Sequence, residues 1–201
     1  MAEEKIFFRS GSLKIEALLS DLSDEKAVVV THPHPLYGGD MRNHVVESVV
    51  RAYQERGFST LRFNFRGVGQ SQGQYDNGIG EQEDVGSALA YMMKLDKKNL
   101  DLVGYSFGAW VNALGLERYT QTGRVVMISP PVNFIDFSFL GYSQKIQLVI
   151  AGSRDEIAPP EMIQKMLPTW NPLANFRVIK EADHFYSGES ATLMDIIKAY
   201  I

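Results

Sequence analysis

The chain has 201 residues, of which 45% are hydrophobic and 22% are charged, and its formal net charge is −4. This length and composition favour one compact domain over residues 1–201, and the absence of cysteine excludes disulfides, thiolate catalysis and cysteine-based zinc sites. No lysine and arginine cluster points to nucleic acid or an anionic membrane as a partner. The N-terminal sequence MAEEKIFFRSGSLKIE lacks the apolar core of a signal peptide, so we expect a cytoplasmic protein.

The predicted elements begin with a hairpin and continue as strands that alternate with helices. Residues 5–9 and 13–19 are predicted strands around the turn SGS, and AVVVT at 27–31 is typical of a buried strand. The alternation after the hairpin predicts an α/β fold with a mostly parallel central sheet and helices on both faces. The later predicted elements are a helix over 42–55, a strand over 58–65, a helix over 80–95, a strand over 99–104, a helix over 107–119, and strands over 124–129, 145–152 and 175–181.

A parallel sheet places the carboxyl ends of its strands at one edge, where α/β proteins build their sites. The segments that follow the predicted strands contain serine, histidine and acidic residues, so they are the candidates for a functional site. These segments are 32–39, 66–73, 106–108, 129–131, 153–160 and 182–188.

Two segments match the pattern GxSxG, which can mark a nucleophilic serine. GYSFG at 104–108 directly follows a predicted strand and directly precedes a predicted helix, which is the context that this motif requires. GQSQG at 69–73 continues instead into the polar, glycine-rich QYDNGIG, which we predict to be a loop and not a helix start. Ser106 is therefore the candidate nucleophile, with an incidental serine in a tight turn as the alternative. Ser71 is predicted to be a loop serine that hydrogen-bonds local backbone.

A nucleophilic serine needs a histidine as its base and an acid that orients the histidine. In nucleophile-elbow proteins the acid and then the histidine follow the serine along the chain. His184 is the only histidine after Ser106. Asp155 follows another predicted strand and is the predicted acid, with the adjacent Glu156 as the alternative. A structural turn or helix-start aspartate is the other interpretation of Asp155.

Two backbone N–H groups are predicted to form an oxyanion hole. One belongs to Phe107, directly after the serine, and the other should come from HPHPLYGG at 32–39. Proline has no N–H, so only His34 and Leu36 are well placed in that loop, and we favour His34.

Five stretches together resemble the α/β-hydrolase superfamily, and the resemblance extends from about Lys5 to the C-terminus: HPHPLYGG, RFNFRGVGQSQG, GYSFG, ISPPVNFIDFSF and ADHFYSG. The chain is similar to a small, lidless bacterial group related in shape to dienelactone hydrolase, but it has serine where those enzymes use cysteine. RGVGQSQG lies where many relatives carry DxRGxGxS, with Asn64 in place of the aspartate. The resemblance implies hydrolysis through an acyl-enzyme and leaves the substrate open.

Only VNFIDFSFLGYSQ lies between Pro131 and Lys145, where larger relatives insert a lid, so we expect no cap domain and an open site. An open site favours a small-molecule ester with a short acyl group. We therefore expect a short-acyl carboxylesterase, with a thioesterase, a peptidase or a non-catalytic binding protein as alternatives. Several apolar residues are candidates for the pocket walls or for the core: Leu36, Tyr37, Phe107, Phe134, Phe137, Phe139 and Phe185.

Metal and nucleotide chemistry fit the sequence less well. HPH at 32–34 has the HxH spacing, but Leu36 and Tyr37 occupy the places of aspartate and histidine in a metallo-β-lactamase-like motif, so no metal is expected. RGVGQSQG nearly matches GxGxxG, but Gln72 replaces the third glycine and no Walker lysine is present, so no cofactor is expected. Three arginines on neighbouring loops either pair with acids, which we favour, or select an anionic substrate: Arg42, Arg66 and Arg154.

Overall fold

The computed structural model describes residues 2–23 and 25–201. Within them lie eight strands, five α-helices and one short 3-10 helix. The strands are β1 (Glu4–Ser10), β2 (Leu13–Ser20), β3 (Lys26–Thr31), β4 (Ser59–Phe63), β5 (Asn99–Tyr105), β6 (Thr122–Ile128), β7 (Ile146–Gly152) and β8 (Asn175–Ile179). The α-helices are α1 (His44–Glu55), α2 (Ile79–Lys94), α3 (Phe107–Leu114), α4 (Pro160–Trp170) and α5 (Ser190–Tyr200), and the 3-10 helix is Pro35–Tyr37.

All eight strands form a single sheet in the order β1-β2-β4-β3-β5-β6-β7-β8. The hairpin β1–β2 is antiparallel, and β2 also pairs antiparallel with β4. From β4 to β8 every neighbouring pair is parallel. The predicted α/β fold, its mostly parallel sheet and its N-terminal hairpin are confirmed. The carboxyl ends of the parallel strands lie at one edge, where the candidate segments follow them.

The helices cover both faces of the sheet, as the sequence predicted. One apolar cluster contains side chains of α2, α3 and α4, and the other contains side chains of α1 and α5. Successive valines of β3 alternate between the two clusters, with Val29 in the first and Val28 and Val30 in the second. Because successive side chains of a strand point to opposite faces, this alternation explains why AVVVT is apolar throughout.

Several element ends differ from the sequence prediction. The predicted helix over 107–119 ends at Leu114, because the chain turns at Gly115 and Tyr119 packs where a Cβ of Gly115 would lie. The predicted strand over 58–65 is shorter, Ser59–Phe63, and the N–H of Asn64 just beyond it donates to the carbonyl of Glu16 in β2. The C-terminal helix α5 was not predicted.

The segment between β6 and β7 contains turns and no helix, so no cap lies over the sheet edge at this point. Among the described helices, none is both long and apolar enough to span a bilayer.

Candidate active site

Ser106 occupies the sharp turn between β5 and α3. Its backbone has φ 53° and ψ −119°, a left-handed conformation that is strained for serine. The flanking glycines allow the strand and the helix to approach closely. A Cβ on Gly104 would lie 2.5 Å from the backbone nitrogen of Ala109, and one on Gly108 would lie 2.5 Å from Thr31 Oγ1. Both glycines of GYSFG are therefore required by packing.

The structure brings Ser106, His184 and Asp155 together from three different loops at the carboxyl edge of the sheet. His184 Nε2 lies 2.9 Å from Ser106 Oγ. His184 Nδ1 lies 2.9 and 3.0 Å from the two carboxylate oxygens of Asp155. All three side chains are nearly buried. The three residues thus form one continuous hydrogen-bonded chain.

The carboxylate of Asp155 accepts hydrogen bonds from other groups besides His184. The N–H groups of Ile157 and Ala158 donate to Oδ1 at 3.0 and 2.7 Å, and the Ser129 hydroxyl donates to Oδ2 at 2.6 Å. Burial acts to raise the pKa of Asp155, but its hydrogen bonds to His184, Ser129 and Ala158 outweigh burial and hold that pKa below its usual value. Asp155 is therefore ionised near neutral pH. Glu156, the alternative acid, is exposed.

The direction of these hydrogen bonds determines what the site can do. An ionised carboxylate only accepts hydrogen bonds, so Nδ1 of His184 carries the ring proton of the neutral imidazole. Nε2 then has a free lone pair that faces the hydroxyl of Ser106. This arrangement can transfer the serine proton to the imidazole and stabilise the imidazolium that forms.

Two backbone N–H groups of residues that line the cleft at Ser106 are available to an oxyanion. Within the described residues, neither the N–H of Phe107 nor that of His34 donates a hydrogen bond. The N–H of Leu36, the alternative donor, is already bonded to Nδ1 of His34 at 3.2 Å. Phe107 and His34 also line the same cleft as Ser106. These contacts favour His34 over Leu36 as the second donor.

The HPHPLYGG loop is held in a compact turn. The carbonyl of His34 accepts hydrogen bonds from the N–H groups of Tyr37 and Gly39 at 3.1 and 3.0 Å. A Cβ on Gly39 would lie 2.2 Å from the carbonyl oxygen of Pro33, so only glycine fits there. The imidazole of His34 packs against the Phe107 ring at 4.6 Å, and burial lowers its pKa. The loop therefore keeps the His34 N–H in a fixed position.

The cleft at Ser106 has a volume of about 660 Å³ and opens to solvent. Tyr37, Phe134 and Phe185 stand at its mouth, with 87%, 71% and 58% of their surfaces exposed. The described residues that line the cleft include no aspartate, glutamate, lysine or arginine. The remaining lining residues are Pro33, His34, Gly38, Gly39, Asn43, Tyr105, Ser106, Phe107, Pro131, Ile135, Ile157 and His184.

Two of the predicted pocket residues lie elsewhere. Phe137 is buried in the core, where its ring packs 5.5 Å from that of Trp170. Leu36 is part of the exposed 3-10 helix and lies outside the cleft lining. Phe139, the other phenylalanine that we considered, packs against Phe137 and also lies outside the lining. The predictions that Leu36 and Phe137 form walls of the pocket are therefore wrong.

Ser71 of the second GxSxG motif is a structural loop residue. Its hydroxyl donates to the carbonyl of Asn64 at 2.7 Å and accepts from the N–H of Glu16 at 2.9 Å. The amide of Asn64 donates to the Glu16 carboxylate at 2.9 Å and accepts from the N–H of Met41 at 2.9 Å. An aspartate at this position would oppose Glu16 without a proton to donate, which explains the asparagine.

Two of the three arginines pair with acids, as we favoured. Arg66 donates to the buried Asp84 at 2.9 and 3.1 Å, and Arg154 pairs with Glu181. Arg42 is exposed, and its backbone N–H donates to the Asp40 carboxylate at 2.7 Å.

His32 serves the fold through both ring nitrogens. Nε2 accepts from the N–H of Phe65 at 3.0 Å, and Nδ1 donates to the carbonyl of Pro33 at 2.6 Å. Burial lowers the pKa of His32 to about 4, so the ring is neutral. Across residues 2–23 and 25–201, no group of three or more histidine and acidic side chains is placed to hold a metal ion.

Two side chains that the sequence analysis did not assign contact the His184 loop. The Tyr105 hydroxyl donates to the carbonyl of His184 at 2.8 Å, and Nε2 of His44 lies 2.7 Å from the carbonyl of Phe185. Tyr105 is the last residue of β5, and His44 is the first of α1. Their positions at the end of a strand and the start of a helix could have identified them as candidate site residues from the sequence.

Comparison with known proteins finds relatives along nearly the whole chain. An uncharacterized protein of Rickettsia prowazekii is 34% identical, in an alignment that covers 98% of this chain and 88% of that protein. The solved structure of an alpha-beta serine hydrolase homologue from Coxiella burnetii is 31% identical, with a TM-score of 0.91. The match covers 100% of this chain and 98% of the homologue. A serine hydrolase without a lid from Xanthomonas campestris is 27% identical, with a TM-score of 0.85. The match covers 98% of this chain and 92% of that protein. No protein-family model matches the chain.

The chain belongs to the α/β-hydrolase superfamily. Within that superfamily it is similar to the serine hydrolase without a lid from Xanthomonas campestris, in agreement with the short β6–β7 segment. These similarities support a hydrolase activity.

Proposed function

We propose that this protein is a serine carboxylesterase that hydrolyses small, uncharged esters through an acyl-enzyme. The observation that carries the proposal is the chain from Asp155 through His184 to Ser106, with 2.9 Å at each hydrogen bond. The strained backbone of Ser106 adds to it, because such strain at a strand–helix turn exposes a nucleophile at the sheet edge.

In the proposed reaction, Ser106 Oγ attacks the ester carbonyl while its proton passes to Nε2 of His184. The N–H groups of Phe107 and His34 bind the oxyanion of the tetrahedral intermediate. His184 then protonates the leaving alcohol, and the acyl group remains on Ser106. A water molecule, activated by His184, hydrolyses this acyl-enzyme. Asp155 keeps the imidazole in the correct tautomer and stabilises its positive charge throughout.

The cleft supports a substrate without charge. Its described lining is apolar or neutral, so a charged acyl or alcohol group would lose its hydration without gaining a partner. The exposed rings of Tyr37, Phe134 and Phe185 offer flat apolar surface at the mouth. The lack of a lid favours a short acyl group, since nothing covers a long chain that extends from the cleft. Higher kcat/KM on long-chain than on short-chain 4-nitrophenyl esters would contradict this part of the proposal.

The experiment that tests the proposal is intact-mass analysis after treatment with a fluorophosphonate probe. We expect one adduct on the wild type and on Ser71→Ala, and none on Ser106→Ala. Ser71→Ala is the matched control, because it also removes a nearly buried serine hydroxyl from a GxSxG motif. A panel of esters, thioesters and amides then separates an esterase from a thioesterase or a peptidase. No adduct on folded wild type would favour a binding protein with a hydrolase fold.

A further inference from the structure

Two buried hydroxyl groups continue the hydrogen-bonded chain beyond Asp155. Ser129 Oγ lies 2.6 Å from Asp155 Oδ2, and it also lies 2.7 Å from the hydroxyl of Tyr186. Both Ser129 and Tyr186 are completely buried. The reaction proposed above transfers no proton to either residue.

The direction of these bonds follows from which groups hold protons. The Asp155 carboxylate only accepts, so Ser129 donates its one proton to Asp155. Ser129 Oγ must then accept from Tyr186. Burial raises the pKa of the Tyr186 phenol far above its usual value, so this phenol is neutral and can donate its proton to Ser129 Oγ. The bonds therefore run in one direction, from Tyr186 through Ser129 to Asp155.

Both residues hold a backbone conformation that is uncommon for their type. Ser129 follows β6 with φ 44°, and Tyr186 follows β8 with φ 53°. A left-handed conformation is strained for a non-glycine residue, and it persists only where surrounding contacts require it. The N–H of Ser129 donates to the carbonyl of Ile150 at 2.7 Å, which anchors this turn on β7. The strained turn directs the Ser129 hydroxyl at the carboxylate.

We propose that Ser129 and Tyr186 are positioning residues of the active site, which disperse the charge of Asp155 and thereby set how strongly it attracts the proton of His184. This inference rests on the proposed function, since it concerns the same Ser106 and His184. Hydrogen bonds to a carboxylate draw charge away from the face that meets the imidazole. Without them, the imidazolium is stabilised more, and a higher pH is needed to free Nε2.

Within residues 2–23 and 25–201, few titratable groups act on Asp155. His184 and Tyr186 reach it from the loop after β8, and Tyr105 faces it from the end of β5. Burial raises the pKa of Tyr105 above its usual value, so this phenol is neutral. A change at Ser129 should therefore reach the pH profile through His184.

Three variants separate the hydroxyl groups from the backbone. Ser129→Ala removes the hydroxyl and keeps the strain, whereas Ser129→Gly removes the hydroxyl and relieves the strain at φ 44°. Tyr186→Phe removes only the outer donor. Ser71→Ala is the control, because its hydroxyl also donates at 2.7 Å in a buried site but is not connected to Asp155.

The measurement is the rate of fluorophosphonate labelling against pH, together with an NMR titration of the His184 ring. We expect both serine variants to move the acid midpoint upward by roughly 0.5–1 pH unit, with a smaller upward shift for Tyr186→Phe and none for Ser71→Ala. The two serine variants should shift alike although Ser129→Gly is the more stable.

The outcomes distinguish this inference from the proposed function. Wild type that is folded but not labelled at any pH overturns the proposed function. If wild type is labelled, but Ser129→Gly and Tyr186→Phe have the same midpoint as wild type in both measurements, the inference alone is overturned. A shift in Ser129→Ala that is absent from Ser129→Gly would assign the effect to the backbone and also overturn it.

Discussion

The two GxSxG segments of this chain differ in what surrounds the serine, although both contain tightly packed glycines. In GYSFG, Ser106 has φ 53°, and its hydroxyl faces His184 Nε2. In GQSQG, the positive φ belongs to Gly69 and Gly73, and Ser71 uses its hydroxyl on two backbone groups. A serine becomes a candidate nucleophile when its own backbone takes the strain and leaves the hydroxyl without a structural role.

The two pairs of glycines also serve different contacts. Cβ atoms on Gly104 and Gly108 would strike the backbone of α3 and the end of β3, so these glycines fix the helix against the sheet. A Cβ on Gly69 would lie 2.4 Å from Asn64 Nδ2 and 2.6 Å from Glu16 Oε2. Gly69 therefore packs a loop against a polar network, whereas a Cβ on Gly73 would lie 2.9 Å from Leu13 Cδ1. The GxSxG pattern thus forms the candidate active-site turn around Ser106 and a structural loop around Ser71.

The largest expected difference between the two regions is in turnover. Ser106→Ala should lower kcat by roughly 10⁴–10⁶-fold, because the covalent step is lost. Ser71→Ala should keep kcat within about tenfold of wild type, since its hydroxyl bonds only the backbone. Steady-state kinetics on a short-chain 4-nitrophenyl ester measures both. A comparable loss in the two variants would contradict the distinction between the motifs.

The next effect tests Asp155, the acid that holds the imidazole of His184 beside Ser106. Asp155→Asn should lower kcat by about 10⁴-fold, because an amide at this position favours the wrong tautomer of His184. We expect kcat on the same ester to fall while the circular dichroism spectrum is unchanged. Glu156→Gln is the matched control, and a larger loss there would assign the acid to Glu156 instead.

A third prediction compares one glycine from each motif. Gly108→Ala would push α3 away from Thr31, move the Phe107 N–H and lower kcat/KM by roughly 10²–10³-fold, the usual cost of a lost oxyanion donor. Gly69→Ala, at φ 58°, should instead lower the free energy of unfolding by about 1–3 kcal/mol and leave labelling of Ser106 intact. Urea unfolding and fluorophosphonate labelling of both variants give the comparison. The reverse pattern would contradict it.

The smallest effect concerns the carboxylate beneath GQSQG. Burial acts to raise the pKa of Glu16, but hydrogen bonds from Lys5, the N–H of Gln70 and Asn64 outweigh it and lower that pKa. A lowered pKa in the folded state means that the contribution to stability is present above the unfolded pKa and is lost as pH falls through the folded one.

Glu16→Gln should therefore lower the free energy of unfolding by about 1–2 kcal/mol at pH 7, and the difference from wild type should shrink in acid. Urea titrations at several pH values measure this difference. Labelling of Ser106 should stay unchanged at pH 7. A difference that grows toward low pH would show that the carboxylate is not the stabilising form.

The sequence predicted those parts of the molecule that depend on local pattern. AVVVT was identified as a doubly buried strand, and the strand–turn–helix around Ser106 was located correctly. The sheet edge then explained why Asp155 and His184, far apart in the chain, end near Ser106. Chain order alone had selected His184, and the structure places it 2.9 Å from the serine.

The features that the sequence did not predict depend on side-chain direction in irregular segments. Phe134 and Phe137 lie three residues apart between β6 and β7, yet one lines the cleft and the other is core. No helix or strand period applies to that segment, so hydrophobicity alone does not separate them. Ser129 was recognised only as a residue at the sheet edge, because its contact with Asp155 depends on a positive φ. Helix α5 was not predicted, because only Leu193 and Ile197 of its residues are fully buried and the apolar pattern is correspondingly weak.

The short segment between β6 and β7 also has a consequence for how the acyl-enzyme would partition. With no lid to close, the acyl group on Ser106 would be reached by any small nucleophile in the medium, and no conformational step would select water. The ratio of hydrolysis to alcohol transfer would then follow the relative concentrations and reactivities of water and added alcohols. The composition of the solvent, rather than the movement of the protein, would decide the product.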